Sequence, residues 1–125
     1  INTMTMKKIM LVLFVLGISL QSFAGPKEKD VLGTWKYKVE TDQGDLTGKL
    51  VFEKNDDALV GKVNTDDGEA FTFSKVELKE NDILYCELDT GYEILELTLT
   101  VKGKAMEGTV GNEGGSFPIT CEKVE

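Results

Sequence analysis

The stretch that decides the fold is Gly33–Glu40, which reads GTWKYKVE and alternates large apolar with charged residues after its first two positions. A period of two residues is that of a β-strand with one buried face and one solvated face. Trp35, Tyr37 and Val39 are therefore expected to face a core, and the charged residues between them to face water. The same alternation recurs along the chain and predicts an all-β protein.

Eight strands are predicted from this alternation and from the Gly, Asp and Asn residues between the runs. They cover roughly residues 33–41, 46–54, 58–64, 70–78, 83–89, 92–102, 105–111 and 116–123. Short hairpins join them in sequence, which predicts an antiparallel up-and-down meander that closes into a single barrel. No helix is predicted after residue 24. After Phe73 the inward-facing residues move from odd-numbered to even-numbered positions, so we expect a bulge around Ser74 and Lys75.

Residues 1–24 are predicted to be upstream sequence followed by a signal peptide. Met6–Lys8 gives a positively charged start, Ile9–Leu20 is almost entirely apolar, and Ser22–Ala24 supplies small residues before a cleavage site. The apolar run is shorter than the roughly 20 residues of a membrane-spanning helix. Residues 25–125 are therefore expected to form one exported domain, periplasmic or secreted, with no stable membrane span.

The composition argues against several classes of function. The net charge of −8 at pH 7 disfavours contact with nucleic acid. The chain contains no His and no Arg, so the usual general base and the commonest metal ligand are missing. In the predicted register no pair of carboxylates converges on a pocket, and nothing serves as an activated nucleophile. We predict that the protein is not an enzyme and has neither a cofactor nor a metal site.

The two cysteines, Cys86 and Cys121, fall at inward positions of the predicted fifth and eighth strands. In an exported protein, two cysteines can form a disulfide, and a tightly closed barrel would bring them together across the core. A bridge needs α-carbons within about 7 Å, whereas these strands are not neighbours in a meander. Two buried thiols that act as small apolar fillers are the alternative. The sequence leaves both possibilities open.

The motif Gly33–Trp35, the eight meander strands and the Gly-x-Val rhythm of Gly61–Val63 and Gly108–Val110 together resemble the calycin superfamily. Within it, the chain is similar to the small lipocalin-like barrels of secreted bacterial proteins. Its closing segment Gly115–Thr120 also resembles the last strand of those barrels. The resemblance implies that the tryptophan packs at the closed end of the barrel near a late basic residue, for which Lys123 is the candidate. It also implies that the first, third, fifth and seventh loops ring the open end, where a ligand enters.

The loops at the predicted open end carry acidic residues and no lysine. The residues assigned to this mouth are Asp42, Asp45, Asp66, Asp67, Glu69, Asp89 and Glu113. Such a mouth suits a cationic or amphipathic small molecule, although Asp and Gly are also the residues that hairpins use for their turns. The N-terminal segment Pro26–Asp30 is expected to lie across the opposite end.

The predicted interior supplies the candidate ligand contacts, since an eight-stranded wall either fills with side chains or leaves room for one small ligand. The candidates are Tyr37, Phe52, Phe71, Phe73, Leu97 and Phe117. Tyr37 has the hydroxyl that can orient a polar group of a ligand. Because the aromatic side chains are bulky, we expect a packed core in preference to a cavity.

Two functions are consistent with this sequence. The first is a secreted lipocalin-like protein that binds a small apolar or amphipathic molecule in its barrel, which requires a cavity of roughly 300 Å³ or more. The alternative is a barrel scaffold with a filled core that contacts or inhibits another protein in the cell envelope. The outward residues Val51, Val60, Tyr85 and Ile94 would then form one contiguous apolar patch.

Overall fold

The computed structural model describes residues 28–124 and contains one short helix and nine β-strands. The predicted signal peptide lies outside the described residues. The elements are α1 (Glu28–Val31), β1 (Gly33–Thr41), β2 (Gly44–Asn55), β3 (Ala58–Thr65), β4 (Ala70–Thr72), β5 (Lys75–Lys79), β6 (Ile83–Asp89), β7 (Ile94–Lys102), β8 (Ala105–Asn112) and β9 (Gly115–Lys123). Between residues 28 and 124, no helix is long and apolar enough to cross a membrane.

All nine strands belong to one antiparallel sheet with the order β4-β3-β2-β1-β9-β8-β7-β6-β5. The first and last strands are neighbours, with Tyr37 opposite Cys121. The meander therefore curls into the predicted barrel-like, all-β fold. The predicted eight-stranded closed barrel is wrong in two respects: the strands number nine, and no ladder joins β4 to β5.

The extra strand arises because the predicted strand 70–78 is broken at Phe73 and Ser74. The amide of Phe73 donates to the carbonyl of Gly61 on β3 at 2.9 Å, whereas the amide of Ser74 donates to Glu87 on β6 at 2.8 Å. Successive residues thus donate hydrogen bonds to β3 and to β6, which lie next to the two opposite edge strands of the sheet. The predicted change in which residues face inward is present. It is produced by a complete break between β4 and β5 instead of a bulge, and Val76 of β5 packs against the core.

Helix α1 corrects the prediction that no helix follows residue 24. Val31 is fully buried, and its carbonyl accepts a hydrogen bond from the indole nitrogen of Trp35 at 2.9 Å. Glu28 forms an ion pair with Lys54 of β2 at 2.9 Å. The segment lies at the closed end, as expected. A single helical turn is too short to show a helical period, so the sequence pattern could not predict it.

Trp35 closes this end of the barrel from the inside. Its side chain is fully buried, and Lys123 lies opposite it across the β1–β9 ladder. The Lys123 ammonium nitrogen is 5.5 Å from the centre of the indole ring, which is within the range of a cation–π interaction. Lys123 therefore occupies the place that the resemblance assigned to a late basic residue.

Above Trp35, the core is filled by two aromatic rings. Phe52 and Phe73 stack with their ring centres 5.9 Å apart and an interplanar angle of 8°. A Cβ at Gly61 would lie 2.7 Å from a ring carbon of Phe52 and 2.9 Å from one of Phe73. Gly61 is therefore required by close packing of the rings, because any side chain would push them apart.

We expect Gly61→Ala to lower the free energy of unfolding by about 1–3 kcal/mol, the usual cost of overpacking a core. Urea denaturation of the two proteins measures this difference. Gly114→Ala is the matched control, because its Cβ would meet only the side-chain oxygen of Asn112, at 3.2 Å on the surface. Equal stability of Gly61→Ala and the control would contradict the packing argument.

The cysteines are both free and buried, with 0% of Cys86 and 2% of Cys121 exposed. The sequence left open a disulfide or two free thiols, and in the structure the two cysteines are free thiols. Burial raises the pKa of each thiol from about 9 to about 12, and the nearby Cys121 also contributes at Cys86. Because the folded-state pKa is the higher one, the stabilisation is present below about pH 9 and is lost as the pH rises towards 12.

We expect the free energy of unfolding to fall above pH 9, with each thiol contributing up to about 1.4 kcal/mol per pH unit. The double variant Cys86→Ala, Cys121→Ala should be less stable at pH 7 but should lose stability less steeply between pH 9 and pH 11. Urea denaturation across this pH range checks the difference. Parallel slopes would contradict the buried-thiol account, as would the absence of free thiols in the denatured, unreduced protein.

Candidate functional site

A cavity of about 680 Å³ opens at the end of the barrel opposite Trp35. Apolar side chains dominate its wall, and we call this cavity the cup. It is lined by Tyr37, Val39, Thr41, Leu46, Leu50, Val63, Thr65, Phe71, Leu88, Thr90, Glu93, Leu95, Leu97, Val110, Gly111, Asn112, Gly114, Gly115, Ser116, Phe117 and Ile119. The expectation of a fully packed interior is therefore wrong for this half of the barrel.

The cup is open because the largest core side chains are concentrated near the closed end. Trp35, Phe52 and Phe73 fill that end and are nearly or fully buried. The opposite half is walled mainly by leucine, valine, threonine and glycine. The sequence shows that the inward aromatic side chains are bulky. It does not show how far along the barrel axis each ring lies, because that depends on strand register.

The predicted ligand contacts are divided between the open cup and the packed closed end. Tyr37, Phe71, Leu97 and Phe117 line the cup. Phe52 and Phe73 do not, because their stacked rings belong to the packed core beneath it.

Two apolar side chains at the rim of the cup are poorly covered by the protein. Leu46 is 59% exposed and Phe117 is 39% exposed, although both occupy inward positions of their strands. Inward apolar residues lower their free energy when they lose contact with water. At this end nothing in the described chain covers them, so they are available to a ligand that enters the cup.

Tyr37 contributes a polar group within the apolar wall. It is only 9% exposed, and its ring and hydroxyl lie over Gly48, where a Cβ would be 2.8 Å from the hydroxyl oxygen. No hydrogen bond to this hydroxyl is found within residues 28–124, and because no fully buried polar side-chain atom in that range lacks a partner, the hydroxyl oxygen is open to water where the side chain borders the cup. Burial, and then the charges of Asp66 and Asp67, raise the pKa of Tyr37 above its usual 10. The hydroxyl therefore stays neutral at pH 7 and can both donate and accept.

Four loops surround the mouth of the cup: residues 41–45, 65–70, 89–94 and 111–116, which we call the rim. The rim contains eight carboxylates and no lysine. They are Asp42, Asp45, Asp66, Asp67, Glu69, Asp89, Glu93 and Glu113, all of them exposed. The seven acids assigned to the mouth from the sequence are therefore on these loops.

Glu93 is the rim acid that sequence reasoning missed. Among the described residues that line the cup, it is the one with a charged side chain. The predicted sixth strand began at residue 92, which placed Glu93 on a strand, whereas β7 begins at Ile94. The Asn112 side-chain amide donates to one oxygen of the Glu93 carboxylate and so orients it. The Thr90-Gly91 turn signal, extended by two residues, would have identified it.

The threonine hydroxyls of the rim are used within their own loops. Three threonine hydroxyls donate in this way: Thr41 to the Gly44 carbonyl at 2.5 Å, Thr65 to the Asp67 carboxylate, and Thr90 to the Glu93 carbonyl at 3.2 Å. The carboxylates at the rim can only accept hydrogen bonds when they are ionised. The rim therefore presents acceptors and negative charge to an incoming molecule.

The rim acids do not form a metal centre in this structure. Between residues 28 and 124, no group of three or more His, Cys, Asp or Glu side chains lies close enough together to hold a metal ion. The acids are distributed over four separate loops.

No two of the four outward apolar residues are cross-strand partners, so the strand ladders do not join them into one patch. Val51 and Val60 lie on the neighbouring strands β2 and β3, whereas Tyr85 and Ile94 lie on β6 and β7. In the sheet, β1, β9 and β8 separate β2 from β7. The hydroxyl of Tyr85 also donates to Glu87 at 2.8 Å, so this side chain is engaged on its own strand.

Comparison with known proteins identifies the fold. No family model matches the chain, and no curated protein matches it. One similar solved structure is a redesigned β-barrel, with a TM-score of 0.64 and 19% identity over 78% of this chain and 95% of that chain. Another is the redesigned β-barrel mFAP1 bound to DFHBI, with a TM-score of 0.56 and 16% identity over 77% of this chain and 96% of that chain. The chain has the fold of these small β-barrels, and membership of the calycin superfamily stays a prediction.

Proposed function

We propose that this protein is an exported, lipocalin-like binding protein that takes a small apolar or amphipathic molecule into the cup. The observation that carries the proposal is the cavity of about 680 Å³, which lies within the range of roughly 300–1,000 Å³ typical of small-molecule sites. Its apolar wall and the uncovered side chains of Leu46 and Phe117 favour a ligand with an apolar body.

The walls of the cup are held in place by strand ladders before any ligand arrives. β1 is paired on both sides, with β2 and β9, and β7 and β8 are paired with each other. A preformed site loses little conformational entropy when it binds its ligand, so more of the gain from apolar contact is retained as affinity.

A barrel of similar fold supports the proposal by analogy. The redesigned barrel mFAP1 is bound to DFHBI, a small dye. A barrel of this size can therefore accommodate a small molecule, and the identity of the ligand depends on the side chains of each chain.

Binding without catalysis fits the chemistry of the cup. Among the described lining residues, Glu93 carries a charge, while Tyr37, the threonines, Ser116 and Asn112 are neutral. The thiols do not line the cup, and their pKa values near 12 keep them protonated at neutral pH. Nucleophilic catalysis needs an activated group next to a base, which this set does not supply.

We expect the cup to bind Nile red, a neutral apolar dye whose emission shifts to the blue in an apolar site. Val110→Trp places an indole inside the cup and should weaken binding at least about tenfold by filling the space that the dye needs. Thr109→Trp is the matched control, because Thr109 is the adjacent residue on β8 and is exposed. Fluorescence titration measures both affinities, and thermal unfolding confirms that the variants fold.

Two results would contradict the proposal. Wild-type protein that causes no blue shift with Nile red at micromolar concentration would show that the cup does not bind apolar molecules. Equal loss of binding in Val110→Trp and Thr109→Trp would place the dye outside the cup.

Export is tested by the mass of the protein after expression in a bacterial host from the initiator at Met6. Cleavage by signal peptidase is expected after Ala24, so the intact mass should match a chain that starts at Gly25 and should come from the periplasmic or secreted fraction. Native mass spectrometry of the same sample also reports any retained small molecule. A cytoplasmic protein that retains Met6 would overturn the export proposal.

A further inference from the structure

We propose that the cup selects cations: its ligand has an apolar body inside the barrel and an ammonium group at the rim, with Glu93 as the counter-charge. This inference rests on the proposed function and adds the charge class of the ligand. It follows from three features: the placement of charge around the mouth, the position of Glu93, and the free hydroxyl of Tyr37.

The negative charge of the rim is a local feature and not only a result of the net charge of −8. The rim has eight carboxylates and no lysine, whereas the loops at the closed end mix both signs. At that end, Lys54, Lys79 and Lys102 lie at the ends of their strands and Lys104 lies in a turn, alongside the acids of the same loops. A cleft lined by one sign of charge with low-dielectric walls concentrates the opposite ion at its entrance.

Glu93 brings this charge into the wall of the cup itself. One of its carboxylate oxygens accepts a hydrogen bond from Asn112, and its backbone carbonyl accepts one from the hydroxyl of Thr90. The carboxylate is thus oriented at the mouth by a neutral amide and not neutralised by a lysine. No lysine lines the cup within the part of the chain that the structure describes, so a cationic group of the ligand is the missing counter-charge.

Tyr37 provides an independent indication of a ligand with a polar group. Its side chain is more than nine-tenths buried and borders the cup, yet no described residue forms a hydrogen bond with its hydroxyl. No fully buried polar side-chain atom within residues 28–124 lacks a partner, so the hydroxyl itself is open to water at the cup, where it can donate to or accept from a polar group of a ligand. The hydroxyl lies over Gly48, the position opposite it in the β1–β2 ladder.

The same features disfavour an anionic amphiphile such as a fatty acid. Its carboxylate would enter among eight carboxylates, with no lysine at the rim or in the described cup wall to pair with it. Like charges placed together reduce affinity, and they select against the wrong partner.

The experiment uses three dansyl probes that share the fluorophore and a five-carbon chain and differ in charge. They are dansylcadaverine, which is a cation, N-pentyl dansylamide, which is neutral, and dansyl-6-aminohexanoic acid, which is an anion. We expect the cation to bind at least about fivefold more tightly than the neutral probe, and the neutral probe more tightly than the anion, at low ionic strength. The preference should shrink when salt is raised to about 0.5 M, because the rim is exposed.

Glu93→Gln tests the assigned counter-charge, since glutamine keeps the size of the side chain and an oxygen that can face Asn112. It should reduce the ratio of the affinities for the cationic and the neutral probe at least about threefold. The matched control is Glu80→Gln, which makes the same charge change in the exposed β5–β6 loop at the closed end. An equal effect of both substitutions would show that net charge, and not Glu93, produces the preference.

The outcomes separate this inference from the function on which it rests. If the neutral probe binds and all three probes bind equally, the cup binds ligands but charge selection is wrong. Tighter binding of the anion would also overturn it. If none of the three probes binds, and Nile red does not bind either, the proposed function itself fails.

Discussion

The pairing of the first strand with the last is the constraint on which the rest of the structure depends. β1 is an interior strand of the sheet, with β2 on one side and the central strand β9 on the other. Trp35 is opposite Leu50 in one ladder and Lys123 in the other, so both ladders converge on the closed end. Without the β1–β9 ladder the meander would be two four- to five-stranded halves with exposed apolar faces, and neither a core nor a cup would exist.

From this constraint follows a division of the interior into two levels. Near the closed end, Val31, Trp35 and the stacked rings of Phe52 and Phe73 exclude water. Beyond them the inward residues are smaller and enclose open space. The close approach of Tyr37 to Gly48 marks the transition, since it sets a hydroxyl into a wall that is otherwise mostly aliphatic. Packing and hollow space are thus produced by the same strands at different heights.

The sequence alone predicted the inward face of most strands, because a period of two is a local property that needs no tertiary context. It also assigned seven acids to the four loops that surround the cup in the structure, since loop order follows from sequential hairpins. It did not predict that Phe52 lies below the cup while Phe71 lines it, which depends on the stagger between strands. It missed Glu93 because a two-residue error in the start of β7 moved that residue out of the rim.

The break at Phe73 and Ser74 gives the barrel wall a seam with mechanical consequences. Along this line no continuous ladder joins the two edges. They are connected by the bent chain, in which the Phe73 amide donates a hydrogen bond to the Gly61 carbonyl and the Ser74 amide donates one to the Glu87 carbonyl. Regions with fewer backbone hydrogen bonds open at lower free energy than fully paired strands. We therefore expect the wall of the cup to open more readily on the side of Phe71 and β4 than on the side of β1 and β9, where every strand is paired on both sides.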